Sequence, residues 1–175
     1  VEDITNIVKA FKEKYGDSNS LVMSQNIVSE NGNNTYGMDA LFALYGAYPK
    51  HWVTDADGNL VYGSNTDEAK TALAEIRKLV EDGTIDASFT VRDSDQCAEL
   101  VTSGQAGIFF GAWWNMSWPL NNMVEEDPNI YWNAYIAPLT DDGTYNTATL
   151  CPSSSFMVIK AGASEEVKEA AVKVM

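Results

Sequence analysis

The chain has 175 residues, 45% of them hydrophobic, which suffices for one full-sized domain with its own core and excludes a peptide, a collagen or a disordered tail. Asp and Glu number 25 against 11 Lys and Arg, and the net charge of −14 is repelled by phosphate backbones and anionic membranes, so nucleic acid is not expected as a partner. No run approaches the roughly 18 consecutive apolar residues of a membrane span, and the opening VEDITNIVKAF has neither a basic region nor an apolar signal core, so the piece reads as soluble.

Ile4, Ile7, Val8 and Phe11 recur at helical spacing up to a stop at Tyr15-Gly16, and Leu21-Val22-Met23 reads as a short buried strand. After the polar loop SENGNNTYG, Met38, Leu41, Phe42 and Tyr45 form a second apolar helical face that leads into the aromatic loop AYPKHW. Asp55-Ala56-Asp57-Gly58-Asn59 separates Trp52-Val53 from Leu60-Val61-Tyr62 and predicts a hairpin.

The clearest helix starts after a Thr66 cap and carries Ala69, Leu73, Ile76, Leu79 and Val80 to Gly83, close to five turns. A second capped helix follows Asp93-Ser94-Asp95, bears Cys97, Ala98, Leu100 and Val101, and stops at Gly104 before the apolar strand 106–110. Helix, glycine and buried strand in that order is α/β grammar. Further strands are expected at Trp132 to Ala137 and Phe156 to Ile159, then a helix from Ser164. That helix runs to Met175 without a closing signal, and with no Met at position 1 the chain reads as a segment of a longer protein.

Most possible catalytic patterns dissolve on inspection. His51 has no Ser or Cys near it and reads as a loop residue, Asp93 and Asp95 read as helix caps rather than a glycosidase pair, and Asp55 to Asn59 lacks the glutamate that would complete a calcium loop. Neither a nucleotide-binding glycine motif nor a GxSxG elbow occurs, and Cys97 and Cys151 lack zinc-type spacing; they read as two separate buried thiols, with a single bridge as the alternative. No catalytic residue, metal or cofactor is expected.

The aromatic content is more informative. Trp113, Trp114 and Trp118 crowd into GAWWNMSWPL, and at helical spacing Trp114 and Trp118 share a face while Trp113 points elsewhere. Either all three indoles are core, or at least one forms a flat wall for a ligand with apolar C–H faces, most commonly a sugar ring; a quaternary amine would also fit by cation–π contact.

The run TSGQAGIFFGAWWNMSWPLNNMVEEDPNIYWNAYIAPLTDDG resembles bacterial extracellular solute-binding proteins, in which "G-x-a-a-m" leads a buried strand to "G-x-W" and a helix, then "p-x-x-x-W-x-x-x-p-l-p-x-x-G". Upstream, YGMDALFALYGAYPKHWVTDADGNLVYGSNTDEAKTALAEIRKLVEDGTID is similar to the same family's helix, "g-a-y" loop, "d-x-d-G-k" hairpin and following helix. The likeness is greatest to the lipoprotein oligosaccharide-binding components of ABC importers from Gram-positive bacteria. It implies an α/β fold of the periplasmic-binding-protein-like type II clamshell, with residues 1–175 as a single domain forming most of the second lobe and the first lobe outside this sequence.

The resemblance further implies a non-enzymatic component that binds a carbohydrate between two lobes, delivers it to ABC permease subunits, and sits outside the cell on an N-terminal lipid beyond this sequence. Trp113 and Tyr36 map onto the family's sugar-lining positions, with Tyr48 twelve residues after Tyr36 and Asp39, Trp114 and Asn115 adjoining them. Ser154 is included in the candidate site, on the hinge side of the cleft, although Ser153-Ser154 departs there from the glycine pair that many members carry before the late strand. In physical terms an indole covers the axial hydrogens of a pyranose while Asp39, Asn115 or the Tyr36 hydroxyl takes its hydroxyls. The rival readings are a carbohydrate-active enzyme domain, which needs two carboxylates about 5–10 Å apart beside the tryptophans, and an aromatic-rich protein-interaction module.

Overall fold

The computed structural model describes residues 1–16, 20–29, 35–136, 139–148 and 158–174, without the Glu126 side chain. Its helices and strands in chain order are α1 (Glu2–Tyr15), β1 (Ser20–Val22), α2 (Asp39–Leu44), β2 (Trp52–Thr54), β3 (Leu60–Tyr62), α3 (Asp67–Glu81), α4 (Ser94–Thr102), β4 (Ala106–Phe109), α5 (Leu120–Glu126) and α6 (Glu165–Val174).

β1 and β4 pair in parallel, and Leu21 also bridges Ile85 in parallel, so three chain segments lie side by side at the centre. A parallel sheet needs helices on both faces, and the side-chain alternation of β1 supplies that division. Leu21 and Met23 join Ile4 and Val8 of α1, Leu41 and Phe42 of α2, and Ala72, Ile76 and Leu79 of α3 in one core. Val22 faces the other way, into a second core with Cys97 and Val101 of α4 and Leu120 and Met123 of α5. The fold is thus mixed α/β, with small sheets.

Local chemistry fixes the helix ends. Thr66 accepts the Ala69 N–H at 3.2 Å, and Asp93 forms a reciprocal box with Gln96, so Asp93 is the cap that its sequence context predicts. Gly83 leaves α3 at a φ of +77°, where its carbonyl accepts the Lys12 ammonium at 2.7 Å and ties α3 to α1. In the hairpin, Asp55 Oδ1 accepts the N–H groups of Asp57 and Asn59 at 3.0 and 2.8 Å, a self-contained Asx turn that uses the carboxylate a calcium loop would need. Those bonds, the Asn59 N–H first, hold Asp55 below the usual carboxylate range.

Three sequence expectations change. α3 runs 15 residues, about four turns rather than five. Of its expected apolar face Ala69, Ile76 and Leu79 are buried and Val80 packs against the core, but Leu73 is half-exposed and Ala72 is buried in its place at the edge of the stripe. Residues 132–136 of the strand expected at Trp132 to Ala137 are not in a strand: they form no ladder with a described strand, and a strand without a partner leaves its backbone to water. Ala137 lies outside the described residues. So do Cys151, Phe156 and Met157, and the described end of the second expected strand, Val158-Ile159, is not in a strand.

Cys97 is fully buried, and that burial, outweighing the pull of Arg92, pushes its thiol up to about 11. At pH 8 only about one such thiol in a thousand is ionised. The native chain should therefore leave the Cys97 peptide unmodified by iodoacetamide and release it for modification in urea, as read by peptide mass mapping; rapid native labelling of Cys97 would contradict the buried position. Because the folded value is raised, the corresponding stability is fully present below the unfolded thiol value of about 8.5 and is lost as pH rises towards 11.

Candidate functional site

The carboxyl ends of β1 and β4 are closed by one residue. Tyr36 donates its N–H to Phe110 O at 2.8 Å and accepts the Ser24 N–H at 2.9 Å, bridging the segments that leave the two strands. It does so at a φ of +66°, a left-handed conformation that costs a non-glycine residue about 1–2 kcal/mol. A broad cleft of about 1270 Å³ runs along β4, from Gly104 and Ala106 at its start to Phe110 and Gly111 past its carboxyl end.

Its walls come from α1 through Ile7, Phe11 and Tyr15, from α2 through Asp39, from the aromatic loop through Tyr48 and His51, and from the segment after β4 through Trp113. The lining is mainly apolar, aliphatic side chains interspersed with aromatic ones, and polar groups such as Asp39 and Asn115 stand among them, the composition of a site that recognises a partly apolar, partly hydroxylated molecule. Trp113 opens a 3-10 turn, Trp113–Met116, and stands 88% exposed. Trp114 turns away and stacks on Trp118 with ring centroids 6.4 Å apart, so the face-sharing expected from the spacing is realised.

The structure gathers three of the six sequence-derived site residues, Trp113, Asp39 and Asn115, on the cleft wall, together with Tyr48. Asp39 already accepts the Ser29 N–H at 3.1 Å and the Ser29 hydroxyl at 3.3 Å, which anchors the start of α2. Trp114 does not line the cleft. Neither does Tyr36, whose left-handed turn sends the ring into the second core 5.1 Å from Phe109, at no exposure at all. Its hydroxyl has no hydrogen-bond partner there, and burial together with the neighbouring Cys97 raises the phenol above its ordinary value. Tyr36 therefore shapes the wall from behind, and a direct bond from its hydroxyl to a ligand is not available in this arrangement. Ser154 lies outside the described residues.

Sequence reasoning missed Tyr131 and Tyr135, which line the same cleft and are largely exposed, and Tyr145, which lines it half-exposed. For the first two the available signal was the aromatic cluster in IYWNAY, most of which falls in the strand expected at Trp132 to Ala137; Tyr145 stands in a polar stretch that gave none. His51 lines the cleft too, and its backbone carbonyl accepts the Gly63 N–H at 2.7 Å. Among the described residues no group of three or more His, Cys, Asp or Glu side chains is placed to hold a metal ion.

No family model matches the chain. In an alignment 122 positions long that covers 62% of the chain, it is 30% identical to Lipoprotein LipO of Bacillus subtilis, and it spans 22% of that protein.

Proposed function

We propose that this chain is most of one lobe of an extracellular solute-binding protein of an ABC importer, and that its cleft takes a carbohydrate, most suitably an oligosaccharide, without transforming it. The observation that carries the reading is Trp113, an indole left 88% exposed on the wall of a cleft of about 1270 Å³. A protein that keeps so large an apolar face in water at the end of a parallel sheet gains from covering it with a ligand, and the C–H face of a pyranose matches an indole in shape and polarity. The likeness to a lipoprotein supports a lipid-anchored, surface-exposed whole protein; permease subunits as its membrane partners follow from the importer reading alone.

The reading requires a second α/β lobe and an export signal in the gene that encodes this segment. It also predicts how the 175-residue chain behaves on its own. Half a cleft lacks the opposing wall and the closure that expels water, while ligand immobilisation still costs some 4–15 kcal/mol. Titration of the tryptophan fluorescence with mono- and oligosaccharides should give millimolar binding for this chain and far tighter binding for a protein carrying both lobes. Micromolar binding to the isolated chain would overturn the half-cleft reading. Release of reducing ends during the titration would favour the enzyme reading, and saturation by a protein instead of a sugar the interaction-module reading.

A further inference from the structure

Asn115 belongs to the cleft wall yet is only 4% exposed, and both ends of its amide are occupied inside the protein. Oδ1 accepts the Thr35 hydroxyl at 3.1 Å, and Nδ2 donates to the Trp118 carbonyl at 3.2 Å. Its backbone N–H donates to Ala112 O at 3.0 Å, closing the turn that bears Trp113. Gly111 makes room for this amide: a Cβ there would come within 2.4 Å of Oδ1. Thr35 in turn precedes Tyr36, whose backbone holds the ends of β1 and β4.

Each end of the amide makes one bond within the protein, and at 4% exposure the remaining lone pair and N–H are largely out of reach of a sugar hydroxyl. What the geometry does supply is a rigid tie across the Trp113–Met116 turn, from the strand ends on one side to Trp118 on the other. We infer that Asn115 is a positioning residue: the Thr35–Asn115–Trp118 bridge holds the Trp113 indole in its solvent-facing posture on the cleft wall. Its importance for ligand rests on the carbohydrate reading above; its effect on the indole does not.

A platform that stands almost clear of the protein has few packing contacts to fix it. The direction in which it leaves the chain therefore comes from the backbone that carries it, and that backbone is held by a side chain with one distant partner, the Thr35 hydroxyl, and one local partner, the Trp118 carbonyl. Thr35 is 80 positions away in sequence, so this turn is coupled to the strand-closing segment and not merely to its neighbours.

The chain labelled with 5-fluorotryptophan tests the tie without any ligand. Trp113→Phe identifies the Trp113 fluorine resonance, and Asn115→Ala should shift and broaden it while leaving the Trp52 resonance, on the hairpin, in place. Thr35→Val removes one of the two bonds and should produce a smaller change in the same resonance; it also serves if Asn115→Ala does not fold. An unchanged Trp113 resonance in the folded variants overturns the proposal.

The ligand arm is a double-mutant cycle in a protein carrying both lobes, read by oligosaccharide titration. Asn115→Ala should weaken binding about tenfold and add nothing once Trp113 is already alanine, because it acts through that indole. Independent, multiplicative losses would mean direct contact between Asn115 and ligand and would also overturn the proposal. If the resonance moves but Trp113→Ala leaves sugar binding untouched, the carbohydrate reading fails and the positioning role stands.

Discussion

Gly63→Ala is expected to destabilise the fold by about 2–4 kcal/mol, lowering the melting temperature by about 5–15 °C. Gly63 follows β3, and its N–H donates to the His51 carbonyl at 2.7 Å. A Cβ there would lie 2.1 Å from the Tyr48 carbonyl oxygen and 3.0 Å from that of His51. Both are backbone atoms that cannot rotate aside, so either the hairpin peels from the aromatic loop or the loop moves. Because Tyr48 and His51 line the cleft, the same substitution should also disturb the ligand wall. Gly58→Ala is the control: its φ is +84°, but a Cβ there meets nothing within 4 Å, and the cost is the left-handed strain of about 1–2 kcal/mol alone. Thermal melts of the two variants decide the matter, and a Gly63→Ala protein as stable as Gly58→Ala would mean that the loop is not clamped as described.

Trp113→Ala should do the opposite, weakening carbohydrate binding by about 1–3 kcal/mol, or 5–150-fold, while changing stability by less than about 1 kcal/mol. A side chain 88% exposed in the native state has little burial to lose, so its removal affects only what it touches when ligand is bound. Trp132 provides the contrast. It also lines the cleft, but it is partly buried, packs edge-on against Phe109 with centroids 5.5 Å apart and leans on the second core, so Trp132→Ala should cost about 2–4 kcal/mol of stability. Denaturant melts and oligosaccharide titrations on both variants separate the roles. Should Trp113→Ala melt the protein and Trp132→Ala selectively abolish binding, the assignment of the aromatic wall is wrong.

The sequence by itself determined the local elements. Capping at Thr66 and Asp93, the stop glycines, and the Asp-Gly turn of the hairpin are short-range chemistry, in which a side chain bonds a backbone group two to four residues away. The separation of Trp113 from the Trp114 and Trp118 pair was also legible, because it follows from the pitch of a helical turn. The rest depends on contacts distant in the chain. Whether Ala72 or Leu73 faces the core at the edge of the α3 stripe depends on what packs against the helix, and whether 132–136 becomes a strand depends on a partner that sequence does not name. The same holds for the candidate site. Tyr36 and Asn115 are polar residues beside an aromatic cluster, and nothing in their neighbours says that one is turned inward by a left-handed backbone and the other tied to a hydroxyl 80 positions away. Contacts between residues distant in the chain are set by how the two cores close around the central strands, and that closure fixes which aromatic faces are left for a ligand.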